Sequence, residues 1–247
     1  MAIFNRLTIV FTLGTSVLLG LGIRASLKSP LFAIQQIEVD QLGQVPALNE
    51  SEVVAVSGLE IGGQSLFGVD LARVERHLLQ EDWIRSVQLE KRFPQTVVIR
   101  PTYREPVAGF LRADGKISYV DRDGAVFSVV RRGDFRDLPL ISGCERADRE
   151  PILRALALVR RWGELGLDSS VLLSTVTPLA DGDLSLAVSY GAGRTQVVVG
   201  FEDAFELETQ LKHIQGVFDY LSKSHLAVRG VWANSGKKIV VKSGLGS

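Results

Sequence analysis

The sequence predicts an α+β protein in three parts: an N-terminal single transmembrane helix, a small strand–helix–helix–strand–strand domain, and a mainly antiparallel β domain carrying two helices. Residues 7–23 hold no charged side chain. Residues 36–99 then pass through alternating and helical patterns in the order strand, helix, helix, strand, strand. From Val107 onward, Asp-Gly turns separate alternating runs, and two longer amphipathic stretches interrupt them. The expected boundaries are 1–28 for a short cytoplasmic stub with the membrane helix, 29–102 for the first domain and 103–247 for the second.

The apolar run is bounded by Arg6 on one side and by Arg24 and Lys28 on the other. At 1.5 Å per residue its roughly 17 residues cover about 26 Å, and Ile3 and Phe4 can extend the span while Arg6 reaches toward the headgroups. The best site for leader cleavage, ending at Ala25, has Ile23 and Arg24 before it, so an uncleaved anchor is expected over a signal peptide. The flanking charges nearly tie. A very short head with more than 200 residues after it favours a cytoplasmic N-terminus and an exported bulk.

Beyond a polar hinge at residues 26–30, Ile37 and Val39 alternate with polar residues as a strand with one buried face. Asn49 followed by Glu52 is a capping-box variant for a helix ending at Gly58. Asp70 is a good N-cap for a second helix with Leu71, Val74 and Leu78 on one stripe. Trp83 follows as a candidate core residue. Val87 and Leu89, then Val97 and Ile99 beyond the Phe93-Pro94 turn, make two more strands. Pro101 and Pro106 mark the boundary of this region.

In the C-terminal region Asp114-Gly115 and Asp123-Gly124 read as hairpin turns. Residues 138–141 start an extended piece. Residues 149–165 form a helix with Ile152, Leu156 and Val159 on one face, and strands follow at 171–176, 184–190 and 195–199. Leu207, Leu211, Ile214, Phe218 and Leu221 recur at offsets of 4, 3, 4 and 3, a strong amphipathic helix. The chain closes with a hairpin of residues 228–233 and 237–241 around Asn234-Ser235-Gly236.

Composition narrows the function. Lys+Arg and Asp+Glu are both 28, so no net field attracts nucleic acid, and no basic stripe with interleaved aromatics is present. Cys144 is the single cysteine, which excludes an intrachain disulfide; it reads as a small buried residue near a turn. His77, His213 and His225 share no metal-ligand spacing. Asp121-Arg122-Asp123-Gly124 lacks the later ligands of a calcium loop. Ser235 to Lys238 matches S-x-x-K only formally, without companion motifs or a helix start. No metal, cofactor or catalysis is expected.

A closing hairpin puts a strand at a sheet edge, and an edge offers unpaired N–H and C=O groups to a partner strand. The candidate partner-binding residues are Val231, Trp232 and Ala233 on one strand and Ile239 and Val241 on the other. Lys237 and Lys238 could discourage promiscuous pairing or meet acidic residues of a partner. An ordinary closing hairpin is the alternative.

Read in order, the blocks FAIQQIEV, SGLEIGGQSLFGVDL, DWIRSVQLEKRFPQTVVI, YREPVA, YVDRDGAVF and LPLISG resemble the FtsQ/DivIB family of bacterial cell-division proteins over about residues 1–241. The first three blocks fit any POTRA domain, the βααββ polypeptide-binding module. The block from Glu105 to Ala108 and the hairpin after it are specific to the FtsQ reading. The resemblance implies a non-catalytic scaffold of the inner membrane at the division septum. It implies an FtsB–FtsL type pair bound by the far end of the β domain, an FtsK-like protein at the POTRA domain, and no cofactor. The family usually carries an Asp-x-Arg-aromatic run in the penultimate strand; here Trp232 stands where that arginine is expected. Two alternatives remain: a POTRA-bearing secretion or assembly factor or chaperone, and an exported enzyme, for which the sequence offers no constellation.

Overall fold

The computed structural model describes residues 30–40, 48–131, 136–191, 193–201, 204–235 and 238–243. The apolar run at 7–23, expected as a membrane helix, lies outside them. Among the described residues no helix is long and apolar enough to cross a membrane. The chain divides into two compact units between Arg104 and Glu105.

The first unit is a three-stranded sheet with two helices. Strand β1 (Gln36–Val39) runs parallel to β3 (Thr96–Tyr103), which pairs antiparallel with β2 (Ile84–Arg92), in the order β1-β3-β2. Helices α1 (Glu50–Ser57) and α2 (Leu71–Leu78) precede β2. Asn49 Oδ1 accepts from the Glu52 amide at 2.9 Å while the Glu52 carboxylate accepts from the Asn49 amide at 2.8 Å. That reciprocal pair satisfies two helix-start donors, and Gly58 at φ +67 ends α1 in the left-handed form a side chain resists. Asp70 caps α2 through the Arg73 amide. The core behind them holds Ile34, Val53, Leu66, Leu78, Val97 and Ile99, all fully buried. Trp83 is half-buried at the rim of this core rather than inside it.

The second unit is a nine-stranded sheet in the order β12-β11-β10-β9-β8-β7-β4-β5-β6. Its strands are β4 (Pro106–Leu111), β5 (Ile117–Asp121), β6 (Val126–Val129), β7 (Leu140–Ile141), β8 (Val171–Pro178), β9 (Leu184–Tyr190), β10 (Gly193–Val199), β11 (Val228–Ser235) and β12 (Lys238–Ser243). Helix α3 (Arg149–Glu164) connects β7 to β8, and α4 (Ala204–Lys223) connects β10 to β11. A helical crossover returns the chain in the same direction, so β7–β8 and β10–β11 are parallel, as is β4–β7. The sheet is therefore mixed, yet five of its eight strand pairs are antiparallel, in keeping with the mainly antiparallel domain expected.

Both helices pack into one core with Trp162, Phe110, Phe218, Ile141 and Leu158, each at most 2% exposed. Trp162 satisfies its buried Nε1–H by donating to the Val171 carbonyl at 3.2 Å. Arg161 of α3 reaches Glu208 of α4 at 3.2 Å. The return from α4 to β11 is fixed by the Tyr190 hydroxyl, which donates to the Leu226 carbonyl and accepts from the Val228 amide.

Candidate functional site

Strand β12 ends the sheet. It pairs with β11 through Val231↔Val241, Trp232↔Val240 and Gly230↔Lys242, and no described strand lies on its other side. Because side chains alternate across a sheet, Ile239 and Val241 share the α4 face with Val231, whereas Lys238, Val240 and Lys242 point to the opposite face. Val240 is 54% exposed and Val241 39%.

Between β12 and the flank of α4 lies an apolar groove of about 770 Å³, lined by Val217 and Tyr220 of α4, Leu226 of the return loop, and Ile239 and Val241 of β12. The stripe Leu207-Leu211-Ile214-Phe218-Leu221 faces the core. His213, Val217 and Tyr220 recur at spacings of 4 and 3 beside it, so α4 presents a second stripe to the groove. Tyr220 is 65% exposed and Leu226 47%. His225, also at the groove, sits at φ +52 where the chain turns from α4 into β11.

The opposite face carries charge. Lys238 and Lys242 are exposed, and Arg194 and Arg229 line a polar hollow there with Ser185, Ser189 and Gln196. None of these four cations has a carboxylate within ion-pair distance among the described residues. The indole of Trp232 lies flat over Gly230: a Cβ there would stand 2.6 Å from the ring. Only glycine allows that pose.

The expected site residues separate on this frame. Val231 and Ala233, at 0% and 1% exposure, are buried in the core, and β11 is paired on both sides. Neither can receive a partner strand, because the α4 crossover lays β11 inside and leaves the edge to β12. Trp232 is 37% exposed on the outer face. Lys238, Ile239 and Val241 belong to the edge, Ile239 partly buried against the core. Lys237 lies outside the described residues. Sequence reasoning missed Val217, Tyr220 and Leu226; the apolar positions beside the core stripe of α4 were the available signal.

Among the described residues no three His, Cys, Asp or Glu side chains cluster to hold a metal. Cys144 is half-buried rather than buried. Burial, with the Asp148 charge beside it, pushes its thiol up, away from the reactive thiolate. An open edge, an apolar groove and unpaired cations suit the binding of polypeptide.

Residues 32–100 match the family described as POTRA domain, FtsQ-type. Over 233 residues the chain is 30% identical to the cell division protein FtsQ of Myxococcus fulvus, spanning 90% of this chain and 76% of that relative. The chain belongs to the FtsQ family. FtsQ of Anaeromyxobacter sp. is 30% identical over 81% of this chain and 67% of its own length. FtsQ of Syntrophotalea carbinolica is 28% identical over 87% and 75%. These matches extend well beyond the POTRA unit into the nine-stranded sheet, and FtsQ membership makes the chain a cell-division protein.

Proposed function

We propose that this FtsQ-family chain is a membrane-anchored, non-catalytic scaffold of the division machinery that takes up a partner strand along β12. The single observation that carries the proposal is an edge strand flanked by an apolar groove on one face and, on the other, by lysines that meet no carboxylate among the described residues. A strand added there extends the ladder by main-chain hydrogen bonds, while alternate side chains set specificity. Its inward residues are apolar and fill the groove between Val241 and Tyr220; its outward residues are acidic and meet Lys238 and Lys242. The partner at this edge is an FtsB–FtsL type pair, and the POTRA unit meets an FtsK-like division protein. Residues 7–23 anchor the chain in the inner membrane at the septum, with the N-terminus cytoplasmic and both units exported.

The test pairs two substitutions of equally exposed valines. Val241→Glu puts a carboxylate into the groove, and binding of the full chain to the FtsB–FtsL pair is expected to weaken roughly tenfold or more, about 1.4 kcal/mol. Val129→Glu, at the other end of the sheet and also 39% exposed, should leave binding unchanged. Undiminished capture of the pair by Val241→Glu and by a chain lacking residues 238–247 would sink the proposal.

A further inference from the structure

In the POTRA unit three phenylalanines from three separate segments meet at the surface, one pair edge-to-face and the other tilted. The Phe32 and Phe67 ring centroids are 4.9 Å apart at 70°, and Phe67 and Phe93 are 5.1 Å apart at 43°. Phe67 is 43% exposed, Phe93 57%, neighbouring Leu31 69% and Ile61 62%. These are four of the five large apolar side chains that the described part of this unit exposes. The segments are held by backbone: the Ile34 amide donates to Gln64, Gln35 to Gln95 and Gly62 to Ile34. The core residues Ile34 and Leu66 lie fully buried behind them. The cluster is a fixed apolar display on the surface, not an unfinished core, and patches of this kind mark docking surfaces.

What faces it follows from where the chain enters. Pro30–Phe32, the first described segment, is part of the cluster. Seven residue steps separate Ile23, the last of the uncharged run, from Pro30. Even fully extended they reach no more than about 25 Å. The patch therefore surrounds the point at which the chain arrives from the membrane, on the reading that residues 7–23 span it. Apolar faces built of phenylalanine and leucine are those that sink about 5–10 Å into the headgroup boundary of a bilayer. Among the described residues the basic side chains beside Phe93 are engaged, Lys91 with the Val69 carbonyl and Arg92 with Glu38, so these two add little attraction to anionic headgroups.

We propose that Phe32, Phe67 and Phe93, with Leu31 and Ile61, form a lipid-interface contact that seats the POTRA unit on the outer leaflet. This goes beyond the scaffold role and rests on it only through the membrane anchor. The full chain is reconstituted in phosphatidylcholine nanodiscs in a Cys144→Ser background. It carries an environment-sensitive fluorophore at Phe93→Cys, at Asp82→Cys or at Ser16→Cys, and nitroxide lipids serve as quencher, labelled at headgroup depth for 93 and 82 and at mid-chain depth for 16. Asp82 precedes the far end of nine-residue β2, about 26 Å from the Phe93 turn. Quenching at 93 is expected to exceed that at 82 roughly threefold, to persist in high salt, and to fall to the level of 82 when Phe67→Asp is added. Quenching at 16 with 93 no higher than 82 overturns this inference alone. Absence of quenching at 16 overturns the anchor and the inference together. Shielding of 93 that needs another protein and not lipid overturns it in favour of a protein contact.

Discussion

The two ends of the nine-stranded sheet are treated in opposite ways. Strand β6 has only four residues, and between its pairings Tyr119↔Phe127 and Ser118↔Val129 it carries an extra residue, Ser128, at φ +32. That bulge bends the strand, and the Arg146 guanidinium donates to the Val126 carbonyl at 2.7 Å. Short length, a bulge and a plugging arginine are the devices by which proteins blunt an edge against unwanted pairing. Strand β12 has six residues and an apolar groove alongside. The two edges are thus shaped differently: β6 is short, bulged and plugged, whereas β12 is longer, carries only its lysines as a guard, and in that contrast supports the docking proposed for it.

Three substitutions grade that contrast. The largest effect is expected from Trp162→Ala. This side chain is 1% exposed in the core both edges depend on, and its removal should cost about 3–5 kcal/mol in denaturant unfolding. Partner binding at β12 should fail together with the fold. A folded Trp162→Ala chain with normal stability would mean that the edges do not share a core. Next is Arg146→Ala, which unplugs β6. It should cost about 1 kcal/mol and raise concentration-dependent association in sedimentation experiments. Unchanged sedimentation would assign the protection to the Ser128 bulge alone.

The smallest effect concerns Glu208, which accepts from Lys212 at 2.7 Å and meets Arg161 of α3 at 3.2 Å. The Lys212 hydrogen bond and charge, then the Arg161 charge, hold its carboxyl below the ordinary value of 4.5. The folded chain therefore takes up this proton less readily than the unfolded chain. The stabilisation is present above the ordinary value and is lost as pH falls through the lower folded one. For an exposed pair Glu208→Gln should lower Tm by only about 1 °C at neutral pH. The difference from the unsubstituted chain should vanish in acid, and one that grows there would contradict the assignment.

Local features were legible because they depend on neighbours in sequence. The Asn49–Glu52 box, the Asp70 cap, the glycines ending α1 and turning the 114–115 and 123–124 hairpins, and the stripe of α4 all read directly from residue type and spacing. Strand order did not. Nothing within Val231 to Ala233 announces that a crossover helix lays them between two other strands, because that choice is made by pairing with residues about 35 positions earlier. Trp83 misled for a related reason: its size suggested a core position, yet the unit's core is filled by smaller side chains and leaves it half-buried at the rim. Its truncation should cost less than that of Trp162. The groove was half legible, with Val217 and Tyr220 set beside the core stripe, but only the packed helix shows that they overlook β12.

One strand has a consequence for the sheet as a whole. β7 contributes only Leu140 and Ile141, yet among the described strands it alone carries the hydrogen-bonded ladder from the β4–β6 hairpins to the five strands from β8 to β12, helix α3 and the shared core bridging the halves beneath it. Ile141 is fully buried, the Leu140 side chain lies where Gly109 leaves room for it, and a Ser142–Thr177 hydroxyl bond of 2.8 Å closes the end. Such a narrow isthmus is a built-in perforation. Pulled on through a partner at its open margin, the five-strand half could yield along that line and spare the other, and exchange of the Leu140 and Ile141 amides would be where tearing first shows.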